Sequence, residues 1–123
     1  MGLLTREVIL QAGARVRVER VPVPEWGDAE SFVYVRGMTA ADRDRWDETL
    51  CERRTEIRAL TLVLGVCDAD GKPIFSADDV AFLMKADGPT ERCVDAIKRL
   101  SGMNHQEEEA LRKNFNGQGA GSQ

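Results

Sequence analysis

Apolar and polar positions alternate in the first third of the chain. The segment 16–23 interleaves valine with charged residues, and the segment 32–35 is β-branched or aromatic throughout. Alternation with a period of two predicts half-buried strands, and residues 25–30 between them join the two into a hairpin. Pro22 and Pro24 lack a backbone donor, so we expect this first strand to lie at the edge of a sheet.

Helical spacing is found on both sides of this hairpin. A short helix is predicted over residues 5–10, with Thr5 as its N-cap and Gly13 breaking the pattern. After the hairpin, Thr39 and Asp42 form a capping box, which opens a helix that runs to about Arg54.

Residues 57–66 fit two structures. Their apolar positions suit one face of a helix, and the run Leu62-Val63-Leu64 suits a buried strand. We favour a helix that ends at Gly65, with this glycine as its C-terminal cap. Asp70-Gly71 then predicts a tight turn between two short extended pieces, because these residues tolerate the positive φ that such a turn requires.

Three more helices are predicted in the second half of the chain. Ser76 and Asp79 cap the first, Gly88-Pro89 separates it from the second, and Gly102 ends the second. A last short helix is predicted over residues 104–114. The positions expected to be buried in the first two of these helices are Val80, Leu83, Met84, Cys93, Ile97 and Leu100.

Together these elements predict one α+β domain over residues 1–115. Its N-terminal β-hairpin is followed by a helix-dominated part of four to five helices with a short Asp-Gly turn. A chain of 123 residues is long enough for one domain with a modest core. Residues 116–123 are rich in glycine, glutamine and serine, which predicts a disordered tail.

Charge and composition restrict the function classes. A net charge of −4 argues against binding to nucleic acid, which usually needs a basic face. No apolar run approaches the roughly 18 residues of a membrane span, and the N-terminus lacks the apolar region of a signal peptide. We therefore expect a cytoplasmic protein without a membrane partner. The three cysteines, Cys51, Cys67 and Cys93, are expected to be reduced core residues.

Candidate chemistry is sparse. Residues 68–71 resemble the centre of a calcium loop, but the register fails, because the twelfth position falls on Ala77 where a glutamate is required. The single histidine, His105, has no partner at metal-ligand spacing and no evident nucleophile. A phosphate-binding glycine loop is also missing. We therefore predict no enzymatic activity, no metal site and no cofactor.

Two tryptophans and the second strand are the candidate partner-binding residues. Trp26 lies in the hairpin turn and Trp46 lies on the helix that follows, and each is either a core anchor or an interface anchor. If Trp26 is a core anchor, its truncation to alanine is expected to cost about 3–5 kcal/mol. Val33 and Val35 are the positions at which another copy could dock on the hairpin.

The order of these motifs resembles that of the tail assembly chaperones of long-tailed, lambda-like bacteriophages and prophages. The matching pieces are Thr5–Leu10, Val23–Gly27, Val33–Thr39 with Asp42-Arg43-Asp44, Asp68–Ser76 with Asp79-Val80, Arg99–Met103 and Lys113-Asn114. The match covers about residues 4–114. Its most specific parts are Trp-Gly between two strands and the Asp-Gly turn that ends in Phe-Ser.

The resemblance implies a non-catalytic role in virion assembly. Such chaperones bind the long, hydrophobic tape measure protein, keep it soluble and help it recruit tail tube subunits. They tend to self-associate, and they act in the host bacterial cytoplasm and are absent from the finished virion. A second interpretation is a small structural virion subunit, such as a head–tail connector or a tube-associated protein. A third is a cellular adaptor or a small metal-dependent enzyme.

Overall fold

A computed structural model describes residues 2–103 of the chain, apart from the side chain of Ala14. The helix predicted over residues 104–114, the tail predicted over residues 116–123 and His105 lie outside the described residues.

Helices and a small sheet form the described part of the chain, which confirms the predicted α+β class. The order is α1 (Arg6–Ala14), β1 (Val18–Pro22), β2 (Phe32–Arg36), α2 (Ala40–Glu52), α3 (Ile57–Gly65), β3 (Val66–Cys67), α4 (Val80–Leu83) and α5 (Thr90–Leu100). Short 3₁₀ turns lie at Pro24–Trp26, Arg54–Glu56 and Ala77–Asp79.

The sheet is antiparallel, with β2 between β1 and β3. Val21 of β1 pairs with Val33, and Val66 of β3 pairs with Val35. The hairpin and the edge position of β1 are therefore confirmed, and Pro22 ends that edge strand. The third strand was not predicted as part of this sheet. Because β2 pairs with β1 along its length and with β3 at Tyr34 and Val35, the backbone of these two residues is not available for strand addition by another copy.

Local sequence signals predict most helix starts correctly. The Thr5 hydroxyl accepts a hydrogen bond from the Val8 amide at 3.3 Å, and the capping boxes of Thr39 with Asp42 and of Ser76 with Asp79 are both formed. α1 runs through Gly13 to Ala14, so the predicted break at this glycine is wrong.

The turn after β3 is held by an aspartate side chain. Asp68 Oδ1 accepts hydrogen bonds from the backbone N–H groups of Asp70 at 2.8 Å and Lys72 at 3.0 Å. Gly71 has a φ of +85°, as the Asp-Gly pattern predicted, whereas Asp70 does not have the positive φ that was also expected of it. This aspartate therefore replaces backbone partners within a tight turn.

Residues 57–65 form a helix, as favoured, but the role predicted for Gly65 is wrong. The residue that follows, Val66, is extended, and Gly65 is not among the glycines with positive φ. A Cβ atom at position 65 would lie 2.4 Å from both Cγ1 and Cδ1 of Ile97 on α5. Glycine is therefore required for the close approach of α3 and α5, not for capping.

Two groups of buried side chains stabilise this arrangement. The larger lies between the sheet and helices α3, α4 and α5, and includes Val35, Leu62, Cys93 and Ile97. The smaller joins α2 to α3 and consists of Trp46, Leu60 and Leu64, with Met103 packed against it. Among the positions predicted to be buried, Met84 is exposed, because it lies just beyond the short helix α4.

The cysteines differ in accessibility. Cys67 and Cys93 are buried and Cys51 is exposed, so the predicted core position is wrong for Cys51 alone. Desolvation by burial raises the pKa of the Cys67 thiol, and it raises the pKa of Cys93 to about 11. Both buried thiols therefore stay protonated and unreactive near neutral pH.

We expect this difference to be visible in thiol labelling. At pH 8, Ellman's reagent should modify only Cys51 in the folded protein, and all three cysteines after unfolding in guanidinium chloride, because only an accessible thiolate attacks the reagent. A Cys51→Ser variant should then show no fast-reacting thiol. Fast labelling of Cys67 or Cys93 in the folded state would contradict the burial described here.

Candidate partner-binding surfaces

The N-terminal arm, residues 2–17, carries more exposed large apolar side chains than any other segment of the described chain. Every residue from Gly2 to Gly13 is exposed. The exposed fractions of its large apolar side chains range from 46% at Val8 to 97% at Leu3. These side chains are Leu3, Leu4, Val8, Ile9, Leu10 and Val16. Val8, Ile9 and Leu10 are consecutive in α1, so their exposed side chains point in different directions around this helix, and the arm is a candidate contact surface.

The arm is attached to the domain at its C-terminal end. A Cβ atom on Gly71 would lie 2.5 Å from Cγ1 of Val16, which shows that this valine lies directly over the Asp-Gly turn. The same turn is fixed to β2, because Arg36 Nη1 donates a hydrogen bond to the Gly71 carbonyl at 3.0 Å. The arm therefore joins the domain at the Asp-Gly turn, which is itself bonded to β2.

A groove lies between α2, α3, α5 and β1, which we call the α2–α5 groove. Its volume is about 910 Å³, and its apolar floor includes Trp46, Leu50, Ile57, Val94 and Met103. A groove of this size with an apolar floor is large enough to hold side chains of a helix.

Among the described residues that line this groove, basic ones outnumber acidic ones, although the chain as a whole is acidic. Arg58 is 3.3 Å from Glu91, and Arg99 pairs with Glu19. The basic lining residues are Arg20, Arg54, Arg58, Arg92, Lys98 and Arg99, and the acidic ones are Glu19, Glu91 and Asp95. The walls are therefore suited to an acidic segment.

Trp46 is at the bottom of the groove and not on its rim. Its side chain is buried, and its indole N–H donates to the Thr61 hydroxyl at 2.8 Å. That hydroxyl donates to the Ile57 carbonyl at 2.6 Å, so the polar atoms of both side chains are satisfied. The cationic groups of Arg43 and Lys98 lie 5.5 Å and 5.8 Å from the indole ring. Trp46 therefore occupies the core-anchor position that was one of its two predicted roles.

Trp26 joins the hairpin turn to the segment that precedes α5. Its indole N–H donates to the Asp87 carbonyl at 3.1 Å, and 43% of the residue remains exposed. Next to it, Glu25 accepts two hydrogen bonds from Arg92, at 3.1 Å and 2.9 Å. These bonds lower the pKa of Glu25 and raise the pKa of Arg92. Trp26 and Glu25 thus link the hairpin turn to α5 and to the segment that precedes it.

The exposure of Trp26 revises its expected contribution to stability. Because only part of the ring is buried, we expect Trp26→Ala to lower the free energy of unfolding by about 1–2 kcal/mol, from a lost hydrogen bond and some lost apolar contact. Urea denaturation followed by circular dichroism measures this effect. Trp26→Phe keeps a ring and removes only the donor, so it should cost less. A loss as large as that of a fully buried aromatic would overturn this expectation.

The structure separates the four residues predicted to bind a partner. Val35 and Trp46 are buried within the domain, Val33 is partly buried against the larger core, and Trp26 alone of the four is exposed, at 43%. They do not form one surface. Partner binding by these side chains remains a prediction, and for the buried ones it would require the domain to open.

Sequence reasoning missed the arm as a candidate binding surface. The signal was present in Leu3-Leu4, two adjacent apolar residues before the helix, and in Val8-Ile9-Leu10, which place apolar side chains around the helix instead of along one stripe.

Metal-binding clusters and membrane-spanning helices are absent from the described chain. Residues 2–103 contain no cluster of three or more histidine, cysteine, aspartate or glutamate side chains that could hold a metal ion. Within the same range, every helix is too short or too polar to cross a bilayer.

Comparison with solved structures finds a similarity to a protein of known role. No family model matches the chain, and no curated protein matches it. Among solved structures, the chain is similar to the bacteriophage HK97 tail assembly chaperone, with a TM-score of 0.56 and 23% sequence identity. The match covers 82% of this chain and 97% of that chain. At this identity the similarity establishes a common fold, and it confirms the resemblance drawn from the motifs at the level of the fold.

Proposed function

We propose that this chain is a phage or prophage tail assembly chaperone that binds the tape measure protein and keeps it soluble. In this proposal it also helps the tape measure protein to recruit tail tube subunits, associates with further copies of itself, and acts in the host cytoplasm without entering the virion. The fold shared with the HK97 tail assembly chaperone supports this proposal. The single observation on which it depends is the exposed N-terminal arm.

A protein that holds an aggregation-prone client needs apolar surface that its own fold does not cover. The arm provides such a surface, because Leu4, Val8 and Ile9 are exposed and the apolar side chains of α1 follow one another around the helix. The net charge of −4 favours solubility of a chain with this exposed surface. The apolar face of a client helix could therefore pack on the arm without rearrangement of the domain.

Co-purification tests this proposal. The tagged chain should retain the tape measure protein encoded in the same phage or prophage when the two are co-expressed. Ile9→Asp should weaken retention by about tenfold, because a charge replaces roughly 1.5–3 kcal/mol of apolar burial. Gln11→Asp is the matched control, since it places the same charge at another exposed position of α1. Equal retention by both variants, or no retention by the unchanged chain, would refute client binding through the arm.

Mass spectrometry of purified particles separates a chaperone from a structural virion subunit. We expect the chain to be abundant in lysates and missing from particles. A fixed copy number per particle would instead identify it as a virion component.

A further inference from the structure

The described chain ends inside the α2–α5 groove. Met103 lines this groove and packs, partly buried, against the cluster that contains Trp46. Its backbone N–H donates to the Lys98 carbonyl at 2.8 Å, and Gly102 before it has a φ of +80°. This glycine-containing end of α5 is a Schellman-type turn, which directs the chain away from the helix axis. The residues that follow Met103 therefore start at the groove itself.

The sequence after Met103 is complementary to the groove. Residues 107–109 are three consecutive glutamates, and Leu111 and Phe115 follow at a spacing of four. Such spacing would place the two apolar side chains on one face of a helix. The groove offers an apolar floor for that face and an excess of basic residues along its walls. Both the charge and the apolar pattern of this segment therefore fit the groove.

We propose that residues 104–115 dock into the α2–α5 groove of their own chain. Leu111 and Phe115 lie on the apolar floor, and the glutamates at 107–109 face the basic wall near Lys98. Docking within the chain is favoured over docking between copies, because the segment begins in the groove and its effective concentration there is high. The proposal does not depend on the chaperone role or on the arm.

This docking covers one of the two apolar surfaces and leaves the other exposed. The groove is occupied by the chain itself, so its floor is not presented to other proteins. The N-terminal arm is then the principal apolar surface that remains for a partner. A ligand that needs the groove must first displace residues 104–115.

Carbodiimide crosslinking of the full-length chain tests the docking directly. This reagent joins an amine to a carboxylate in contact with it, and among residues 2–103 Lys98 is the one lysine that lines the groove. We expect a crosslink from Lys98 to one of the glutamates at 107–109. Lys72 and Lys85 lie outside the groove lining and serve as internal controls. Crosslinking an equal mixture of ¹⁵N-labelled and unlabelled protein shows whether the bond forms within one chain or between two.

A pair of variants tests whether the apolar side chains hold the segment in place. Leu111→Asp/Phe115→Asp should lower the crosslink yield by about tenfold, since two apolar side chains are lost from the floor. Gln118→Asp/Gln123→Asp adds the same charges beyond the segment and should leave the yield unchanged. Hydrogen exchange of the unchanged protein is a second measurement, in which residues 104–115 should be protected.

Three outcomes would overturn the proposal. The first is rapid exchange throughout residues 104–115 with no crosslink to Lys98. The second is a crosslink found only between labelled and unlabelled chains, which would assign the groove to a second copy. The third is an unchanged crosslink yield in Leu111→Asp/Phe115→Asp, which would show that charge alone brings the segment near Lys98.

Discussion

Replacing Trp46 with alanine is expected to lower the free energy of unfolding by about 3–5 kcal/mol, the range for truncation of a buried aromatic side chain. Trp46 is only 3% exposed and forms the smaller buried cluster with Leu60 and Leu64. Its loss leaves a cavity between α2 and α3 and removes the hydrogen bond to Thr61. Because a small domain is stabilised by only about 5–15 kcal/mol, this single change removes a large part of the total.

Trp46→Phe is the matched control for this effect. It keeps most of the ring in the cluster and removes the indole donor, so we expect a loss of about 1–2 kcal/mol. Thr61 retains its own hydrogen bond to the Ile57 carbonyl. Urea denaturation followed by far-UV circular dichroism measures both variants without relying on the fluorescence that the substitution changes. A near-neutral Trp46→Ala variant would mean that this side chain is not a core anchor.

Gly65→Ala is the second substitution with a large expected effect, although it adds only one methyl group. That group would lie within 2.6 Å of three side-chain carbons of Ile97, which is itself fully buried. Two of these carbons are bonded to Cβ of a β-branched residue, so they cannot move aside easily. We expect a loss of about 1–3 kcal/mol, near the upper end of that range, from overpacking between α3 and α5.

Gly13→Ala provides the comparison for this substitution. Gly13 is also in a helix, but nothing lies within 4 Å of the position that its Cβ would occupy. Alanine there should stabilise the helix by about 0.5–1 kcal/mol, so the two glycine variants should change stability in opposite directions. Thermal and urea denaturation of the two variants measure this difference. A stabilising Gly65→Ala would show that α3 and α5 are less closely packed than described.

The features that sequence predicted well are those decided within a few residues. Capping at Thr39 and Ser76 and the turn at Gly71 depend on side-chain and backbone geometry that neighbouring residues determine. The hairpin followed from alternation, and Pro22 correctly indicated an edge strand. In each case the local preference and the global fold agree, so no knowledge of distant contacts was needed.

The features that could not be predicted from the sequence depend on contacts between residues that are far apart in the chain. Gly65 resembles a cap when only α3 is considered, and its actual reason is Ile97 on α5. β3 is a two-residue strand whose identity depends on pairing with β2. Apolar residues in a short helix likewise do not reveal whether the domain covers them, which is why the exposure of Ile9 and its neighbours required the structure.

The same limit explains why the sequence could not assign the candidate binding residues to the core or to an interface. Valine and tryptophan are enriched both in cores and in interfaces, so residue type alone left the two roles open for Val35 and Trp46. The sheet register and the packing of α2 on α3 place both side chains inside the domain. We therefore propose the N-terminal arm, and not the hairpin, as the surface that binds a client.

Sedimentation of the tape measure protein tests the central claim most directly. The tape measure protein is produced in cells alone, with the unchanged chain, with Ile9→Asp or with Gln11→Asp, and its fraction in the supernatant is measured after centrifugation of the lysate. We expect most of it to be soluble with the unchanged chain and with Gln11→Asp, and most of it to sediment alone and with Ile9→Asp. If it sediments equally with and without the unchanged chain, this chain is not its chaperone.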